Sequence, residues 1–289
     1  MGGKCTLKVF QDTVRQVTSE RVRGASWALY TLARGLIEEE ESGTDLCMCS
    51  EAIQKGVMEA SGGMTPPLWV GRALSKACKM GADPVSALRN LIDYQARSAD
   101  LISSNGAHII RGASHIVTLS YSSTVERILR SAGRKMQVVV AESRPGSEGV
   151  VLASRLSADG YIVRVVPDAA VGLFLKGNAI AIIGADTVTG DGCVYNKVGS
   201  RLLSLASKAA GIPVYAAFDA TKIWPEAVCG GVEVKKWRYR PEGWHEVEIP
   251  VFEPVEPELL SGYITEAGLL PPGGGSVEIL VERIEDSIL

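Results

Sequence analysis

The sequence predicts an α/β protein with a helical N-terminal domain, residues 1–112, followed by a Rossmann-like domain, residues 113–289, with a doubly wound and mostly parallel sheet. Two observations support this fold class. Up to about residue 110, apolar residues recur at spacings of three and four, the period of amphipathic helices. From about residue 113, short apolar runs alternate with helical segments, which is typical of parallel strands joined by right-handed crossovers.

The N-terminal domain is predicted to hold about five helices, in a bundle or cap. One of them carries Trp27, Leu32 and Leu36 and ends in the acidic run 38–41, which faces solvent. The others cover roughly residues 6–19, 45–61, 67–80 and 84–104. Glycine-containing pairs separate the helices, and Asn105-Gly106 is predicted to end the last one.

The C-terminal domain is predicted to alternate strands and helices. The run 179–183 is apolar and uncharged, which indicates a strand buried on both faces. Further strands are predicted at 115–120, 137–141, 162–166 and 213–217, and helices at 125–132, 148–158 and 201–210. No Gly-x-Gly-x-x-Gly follows the first strand, so a dinucleotide is not indicated and we expect no cofactor.

Composition and charge argue against two classes of function, general nucleic-acid binding and membrane association. The chain has 30 basic and 33 acidic residues and a formal net charge of -3, which argues against a general nucleic-acid binder. It has no apolar run of about 18 residues and no signal peptide, so we expect a cytoplasmic protein without membrane contact. Residues 235–240 interleave cations with aromatic rings that could stack on RNA, but an exposed edge strand explains the alternation better.

The six cysteines show neither a Cys-x-x-Cys pair nor a histidine partner at zinc spacing. We therefore expect buried thiols in a reducing compartment. Cys47 and Cys49 are two residues apart, which points them to different sides of a helix and argues against a local metal site. No metal centre is predicted.

Polar residues follow the central strand at the rim where open parallel sheets bind ligands. Asp186 comes directly after this strand, and Asn196 and Lys197 follow with side chains suited to holding a phosphate or a hydroxyl. The carboxylate is either functional or an ordinary turn residue that bonds its own backbone.

Two other strand ends could contribute to the same rim. Arg144 follows the strand 137–141 and precedes a helix, and together with the first N–H groups of that helix it could hold an anion. Alternatively, the Pro and Gly of this segment only shape the turn. Residues 118–123, Ser120 among them, bring hydroxyl groups to this rim. The preferred interpretation of these hydroxyl groups is an ordinary helix cap.

In the N-terminal domain, Arg23 stands with Gly24, Ala25 and Ser26 at a helix start. Such an arginine beside free N–H groups forms an anion site or is simply solvated.

Several motifs taken together resemble a known family. The chain resembles one protein family in five segments. In sequence order these are RGAS at 23–26, ESRP at 142–145, GAD at 184–186, NKVGS at 196–200 and the segment 252–272. This family unites the alpha, beta and delta subunits of translation initiation factor 2B with methylthioribose-1-phosphate isomerase and archaeal ribose-1,5-bisphosphate isomerase. The resemblance implies a sugar-phosphate pocket between the domains and a dimer formed through the C-terminal domain.

By position, the resemblance also implies roles for single residues. Arg23, Gly24 and Ala25 match the phosphate-binding segment of the isomerases, and Asp186 matches their general acid/base. Asn196 and Lys197 match their substrate-holding pair.

The departures from the isomerases concern their chemistry. Ser120 stands where they carry a catalytic Cys, and a serine hydroxyl needs an adjacent base that the sequence does not place there. The arginine that they carry before a proline is missing at 64–67. Glu148 stands where they tend to carry Gln, and a carboxylate facing phosphate is repelled.

These departures favour a non-catalytic or regulatory protein, similar to the factor 2B subunits, that binds a phosphorylated sugar or nucleotide. Initiation factor 2 subunits are candidate partners, and a homodimer or higher oligomer is expected. The alternative is an aldose–ketose isomerase of a phosphorylated pentose, with Asp186 as acid/base and Ser120 in place of the thiol.

Overall fold

The computed structural model describes residues 5–20, 24–62, 64–133 and 136–289. Helices make up the N-terminal part: α1 (Lys8–Ser19), α2 (Ala25–Glu41), α3 (Ser50–Ser61), α4 (Pro66–Met80) and α5 (Pro84–Ile110). Asn105-Gly106 does not end α5. A Cβ atom added at Gly106 would lie 2.6 Å from Cγ1 of Ile128, so the glycine lets α5 pack closely against the helix that carries Ile128.

The C-terminal part contains the strands β1 (His115–Leu119), β2 (Gln137–Ala141), β3 (Ile162–Val166), β4 (Ala179–Ile183), β5 (Thr187–Thr189), β6 (Val194–Lys197), β7 (Val214–Ala217), β8 (Ile223–Trp224), β9 (Lys236–Tyr239), β10 (Val247–Pro250), β11 (Phe252–Val255), β12 (Gly262–Thr265) and β13 (Gly268–Leu270). Its helices are α6 (Ser123–Ser131), α7 (Glu148–Ala158), α8 (Ser200–Ala209) and α9 (Gly274–Ile288).

The large sheet has the strand order β13-β12-β7-β4-β1-β2-β3, with every neighbouring pair parallel except β12 and β13. The chain builds β1, β2 and β3 on one side and then crosses to β4 on the other side of β1. The carboxyl ends of β1 and β4 therefore flank the point where the strand order reverses, which is where ligands bind in open α/β sheets. The α/β class with a mostly parallel sheet is confirmed.

A second, four-stranded sheet has the order β11-β6-β5-β8, and β9 pairs with β10 in a separate hairpin. The prediction of an exposed strand at 235–240 is confirmed by β9. Asn196 and Lys197 lie in β6, where Lys197 pairs with Phe252 in β11.

One apolar core continues from the helices into the large sheet. It includes Leu32 of α2, Leu74 of α4, Val117 of β1 and Ile183 of β4. In the described ranges, helices α1 to α5 end before residue 112 and the strands begin after residue 113, but a division into two separate domains at this boundary stays a prediction.

The expectation of six thiols is wrong, because the cysteines pair as Cys5–Cys49, Cys47–Cys78 and Cys193–Cys229. The partners are 31 to 44 residues apart, so short spacing motifs could not reveal them. Cys47 and Cys49 do point to different partners, as their two-residue spacing indicated. Over the described ranges, the structure contains no helix with the length and apolarity needed to cross a bilayer.

Candidate functional site

Asp186 lies at the carboxyl end of β4 and is fixed by its backbone. Its N–H donates to the carbonyl of Tyr195 (2.9 Å), and its carbonyl accepts from the N–H of Thr65 (3.3 Å). The Thr65 hydroxyl also donates to the Thr187 hydroxyl (2.8 Å). Since Thr65 immediately precedes α4, the helical part of the chain reaches the rim of the sheet at this residue.

Three charged side chains surround the carboxylate of Asp186. Burial raises the pKa of Asp186, the ammonium groups of Lys222 and Lys197 oppose this change, and the carboxylate of Glu148 adds to it. The side chain keeps part of its surface accessible to water, although protein atoms crowd around it. A raised pKa means that Asp186 holds a proton more readily than an ordinary aspartate, which suits acid/base chemistry or a hydrogen bond to an anion.

Lys222 was missed at the sequence level. It is 7% exposed and lies on the 3₁₀ turn Ala220–Lys222, directly after β7. The rule that ligand-binding residues follow the carboxyl ends of parallel strands, applied to β7 as well as β4, would have included it.

Lys197 is paired and enclosed. Its Nζ donates to Oε1 of Glu148 at 2.7 Å and lies 4.3 Å from the ring centroid of Trp237 and 5.4 Å from that of Phe252. The side chain of Lys197 is 9% exposed. The second oxygen of Glu148 is buried and accepts no hydrogen bond. The ammonium group of Lys197, which the sequence assigned to a ligand, is thus paired with a carboxylate of the same chain.

Asn196 is also engaged within the protein. Its side-chain amide donates to the Ser200 hydroxyl (2.8 Å), which in turn donates to the carbonyl of Lys197 (2.6 Å). These bonds fix the β6–α8 connection and keep Asn196 beside Lys197, close to Asp186. The structure therefore gathers Asp186, Asn196, Lys197 and Glu148.

Ser120 lies at the carboxyl end of β1, next to β4, and is 6% exposed. Its φ is +60°, and its backbone N–H donates to the Ser143 hydroxyl at 2.6 Å. A non-glycine residue in this left-handed region costs about 1–3 kcal/mol and is held by its surroundings. His115 lies at the other end of β1, where its Nε2 is 2.7 Å from the carbonyl of Phe174.

Arg144 is exposed, and the backbone N–H groups at this position already bind a carboxylate of the same chain. The N–H groups of Ser143 and Arg144 donate to the two oxygens of Asp168, at 2.7 and 2.8 Å. The guanidinium of Arg144 donates to the Ser147 hydroxyl at 3.1 Å. The helix α7 begins at Glu148, and in its first turn the N–H groups of Gly149 and Val150 donate to the carbonyls of Glu142 (3.2 Å) and Ser147 (3.0 Å).

The N-terminal phosphate segment is described only in part. Arg23 lies outside the described residues. Gly24 precedes α2 in extended conformation, Ala25 is buried, and Ser26 is half-buried. Over the described parts of the chain, no hydrogen bond joins residues 24–26 to Asp186, Asn196 or Lys197.

A second buried carboxyl group lies at the joint between α5 and the large sheet. Oε1 of Glu266 accepts hydrogen bonds from the Tyr94 hydroxyl and from the backbone N–H of Ala220 (3.0 Å), while its Oε2 has no partner. Burial, with a contribution from the nearby Asp219, raises the pKa of Glu266 to about 7. The sequence left open whether Glu266 reaches the pocket or a partner protein; the structure buries it against Tyr94.

Replacing Glu266 with Gln is expected to remove a pH dependence of stability. The native state binds this proton more tightly than the unfolded state, so the free energy of unfolding of the wild type falls as pH rises from about 4.5 to about 7. At pH 8 the variant should be more stable by about 3 kcal/mol, and near pH 4 the two proteins should agree. Urea unfolding between pH 4 and 8 measures this, with exposed Glu278→Gln as control; parallel curves for wild type and Glu266→Gln would contradict it.

Comparisons with known proteins agree with this fold. The family model described as "Initiation factor 2 subunit family" matches residues 71–272. A "Putative translation initiation factor eIF-2B subunit 2-like" protein of Pyrococcus furiosus is 31% identical over 273 residues, which cover 90% of this chain and 95% of that protein. A ribose 1,5-bisphosphate isomerase of Thermococcus kodakarensis is 28% identical over 217 residues, which cover 69% of this chain and 66% of the isomerase.

Among solved structures, the translation initiation factor eIF-2B of Pyrococcus horikoshii OT3 superposes with a TM-score of 0.82 at 29% identity, covering 92% of this chain and 98% of that one. The resemblance carried by ESRP, GAD and NKVGS is thereby confirmed. The match to the family model and the 31% identity over nearly the whole chain show that this protein belongs to the Initiation factor 2 subunit family.

Proposed function

We propose that this chain is a non-catalytic member of its family that acts, like a factor 2B subunit, through protein contacts and binds a phosphorylated sugar or nucleotide beside Asp186. The state of the cysteines carries this proposal. All six are in disulfides, so the chain offers no thiol to take the place that Ser120 holds.

The chemistry of the rim supports the same proposal. A serine hydroxyl needs a neighbouring base to act in place of a thiolate. The backbone of Ser120 is bonded to the hydroxyl of Ser143, which is not a base at neutral pH, and His115 lies at the far end of the strand. Lys222, Asn196 and the carboxyl group of Asp186, which its raised pKa keeps protonated more readily, still provide hydrogen-bond donors for an anionic ligand.

The second candidate is the aldose–ketose isomerase. The raised pKa of Asp186 supports it, because a carboxyl group that holds a proton more readily than an ordinary aspartate is suited to moving protons between adjacent carbons. This reading assigns Asp186 as the acid/base and requires Ser120 to act without a base of its own.

Ligand binding without turnover is the expected result for the wild type. Ribose 1,5-bisphosphate, methylthioribose 1-phosphate and AMP are each tested by thermal shift and by product formation. A ligand present at about 100 times its Kd should add roughly 2.7 kcal/mol to the free energy of unfolding. The Asp186→Asn variant is measured beside the exposed control Asp93→Asn. Turnover by the wild type and by Asp93→Asn that Asp186→Asn abolishes would instead establish the isomerase.

The remaining parts of the proposal concern assembly and organisation. We include a homodimer or higher oligomer, contact with initiation factor 2 subunits, a cytoplasmic location and a division near residue 112, all of which follow from the family resemblance or from the sequence pattern. Sedimentation velocity tests the oligomer, and a pull-down with initiation factor 2 subunits tests the partner.

A further inference from the structure

The hairpin of β9 and β10 stands apart from the two larger sheets. Among the described strands, β9 and β10 hydrogen-bond only with each other. The hairpin is tied to the body at its base, where the N–H of Val251 donates to Lys235 (2.8 Å) and the carbonyl of Val251 accepts from Val198 (3.0 Å). A two-stranded hairpin alone is marginally stable in water, so its position depends on side-chain contacts.

Trp237 makes such a contact directly over the candidate site. Its ring centroid is 4.3 Å from Nζ of Lys197. A Cβ atom added at Gly146 would lie 2.5 Å from Cη2 of Trp237 and 2.6 Å from both carboxylate oxygens of Glu148. The indole and the carboxylate of Glu148 therefore converge on Gly146 and Lys197. The neighbouring Lys236 and Arg238 are exposed, as the alternation of a strand requires.

We propose that the β9–β10 hairpin is a lid over Lys197, held by Trp237, and that Glu148 occupies the place that an anionic group of a ligand would take. An anion binds Lys197 only when the indole withdraws and the carboxylate of Glu148 turns away. The proposal rests on the proposed function, because it concerns the same anion site, and it adds what controls access to that site.

Charge and hydrogen bonding support this exchange. Oε1 of Glu148 is bonded to Lys197, but Oε2 is buried without a partner, which costs free energy that rotation of the side chain toward water recovers. The ammonium of Lys197 gains from the π face of Trp237, an attraction that a more tightly held anion can replace. The lid therefore discriminates between anions by how well they replace Glu148.

The cover over Lys197 is tested without any ligand. Acetylation by a limiting amount of an amine-reactive ester is followed by peptide mass spectrometry, with exposed Lys79 as the internal reference. Trp237→Ala should raise the rate at Lys197 at least about fivefold relative to Lys79. Trp244→Ala, at a position 74% exposed in the same hairpin, should leave it unchanged. Equal rates at Lys197 in the wild type and Trp237→Ala overturn the lid.

Access of anions is tested with inorganic phosphate by calorimetry. Trp237→Ala and Glu148→Gln should each bind phosphate at least about tenfold more tightly than the wild type, whereas Trp244→Ala should not. If phosphate binds the wild type and both site variants equally, the gating is overturned. If it binds none of them while acetylation of Lys197 rises in Trp237→Ala, the lid stands and the proposed anion site fails.

Discussion

Replacing Trp69 with Ala is expected to lower the free energy of unfolding by about 4 kcal/mol. Trp69 lies on α4, is 1% exposed, and donates from Nε1 to the carbonyl of Ile223 at 3.0 Å. It thereby joins the helical part of the chain to β8. The alanine variant leaves a large cavity and a buried carbonyl without its donor, and both effects destabilise the native state.

Urea unfolding followed by circular dichroism measures the effect. Two further variants separate the contribution of the N–H donor from that of the buried ring. Trp69→Phe keeps most of the ring volume and loses the N–H donor, so it should cost about 1–2 kcal/mol. Trp244→Ala removes an exposed indole and should change stability by no more than about 0.5 kcal/mol. A Trp69→Ala variant as stable as Trp244→Ala would show that α4 does not anchor the sheet.

This substitution should also affect ligand binding. Ile223 directly follows Lys222, so loss of the Trp69 bond loosens the residue next to one of the two ammonium groups around Asp186. Binding of any ligand that uses Lys222 is expected to weaken in Trp69→Ala more than in Trp69→Phe.

The double variant Cys47→Ser/Cys78→Ser is expected to lose about 3–4 kcal/mol of stability. The disulfide joins residues 31 positions apart and ties the segment before α3 to α4. Without it the unfolded chain gains the conformational freedom of this loop, and the native helices lose a fixed connection. Urea unfolding under oxidising conditions measures the loss.

The same wild-type protein in excess reductant is the matched comparison, because it keeps every other side chain. It should lose at least as much stability as the double variant, since all three disulfides open. Peptide mapping of the unreduced protein should recover Cys47 linked to Cys78. Six titratable thiols in the unreduced, denatured protein would contradict the pairing.

The sequence predicts those parts of the fold that short-range patterns determine. The uncharged apolar run of β4 indicates a central strand because residues buried on both faces must be apolar, and the rim rule then places Asp186. The sequence could not place Lys197 in β6, because its strand partner Phe252 lies 55 positions further along the chain.

The contacts that define the site are equally distant in sequence. Glu148 and Lys197 are 49 positions apart, and Trp237 reaches both from a third segment. Their charges are visible in the sequence, but only the packed chain shows that one neutralises the other. Lys222 follows β7 at the same rim, so the rim rule includes it, although no motif in the sequence marks it.

The four-stranded sheet determines how the charged groups respond to movement. Asp186 immediately precedes β5, Lys197 ends β6, and Lys222 immediately precedes β8. Because these strands belong to one hydrogen-bonded sheet, the three groups keep their mutual spacing as a rigid unit. A movement elsewhere in the chain would therefore leave unchanged the geometry that these three groups present to a bound anion.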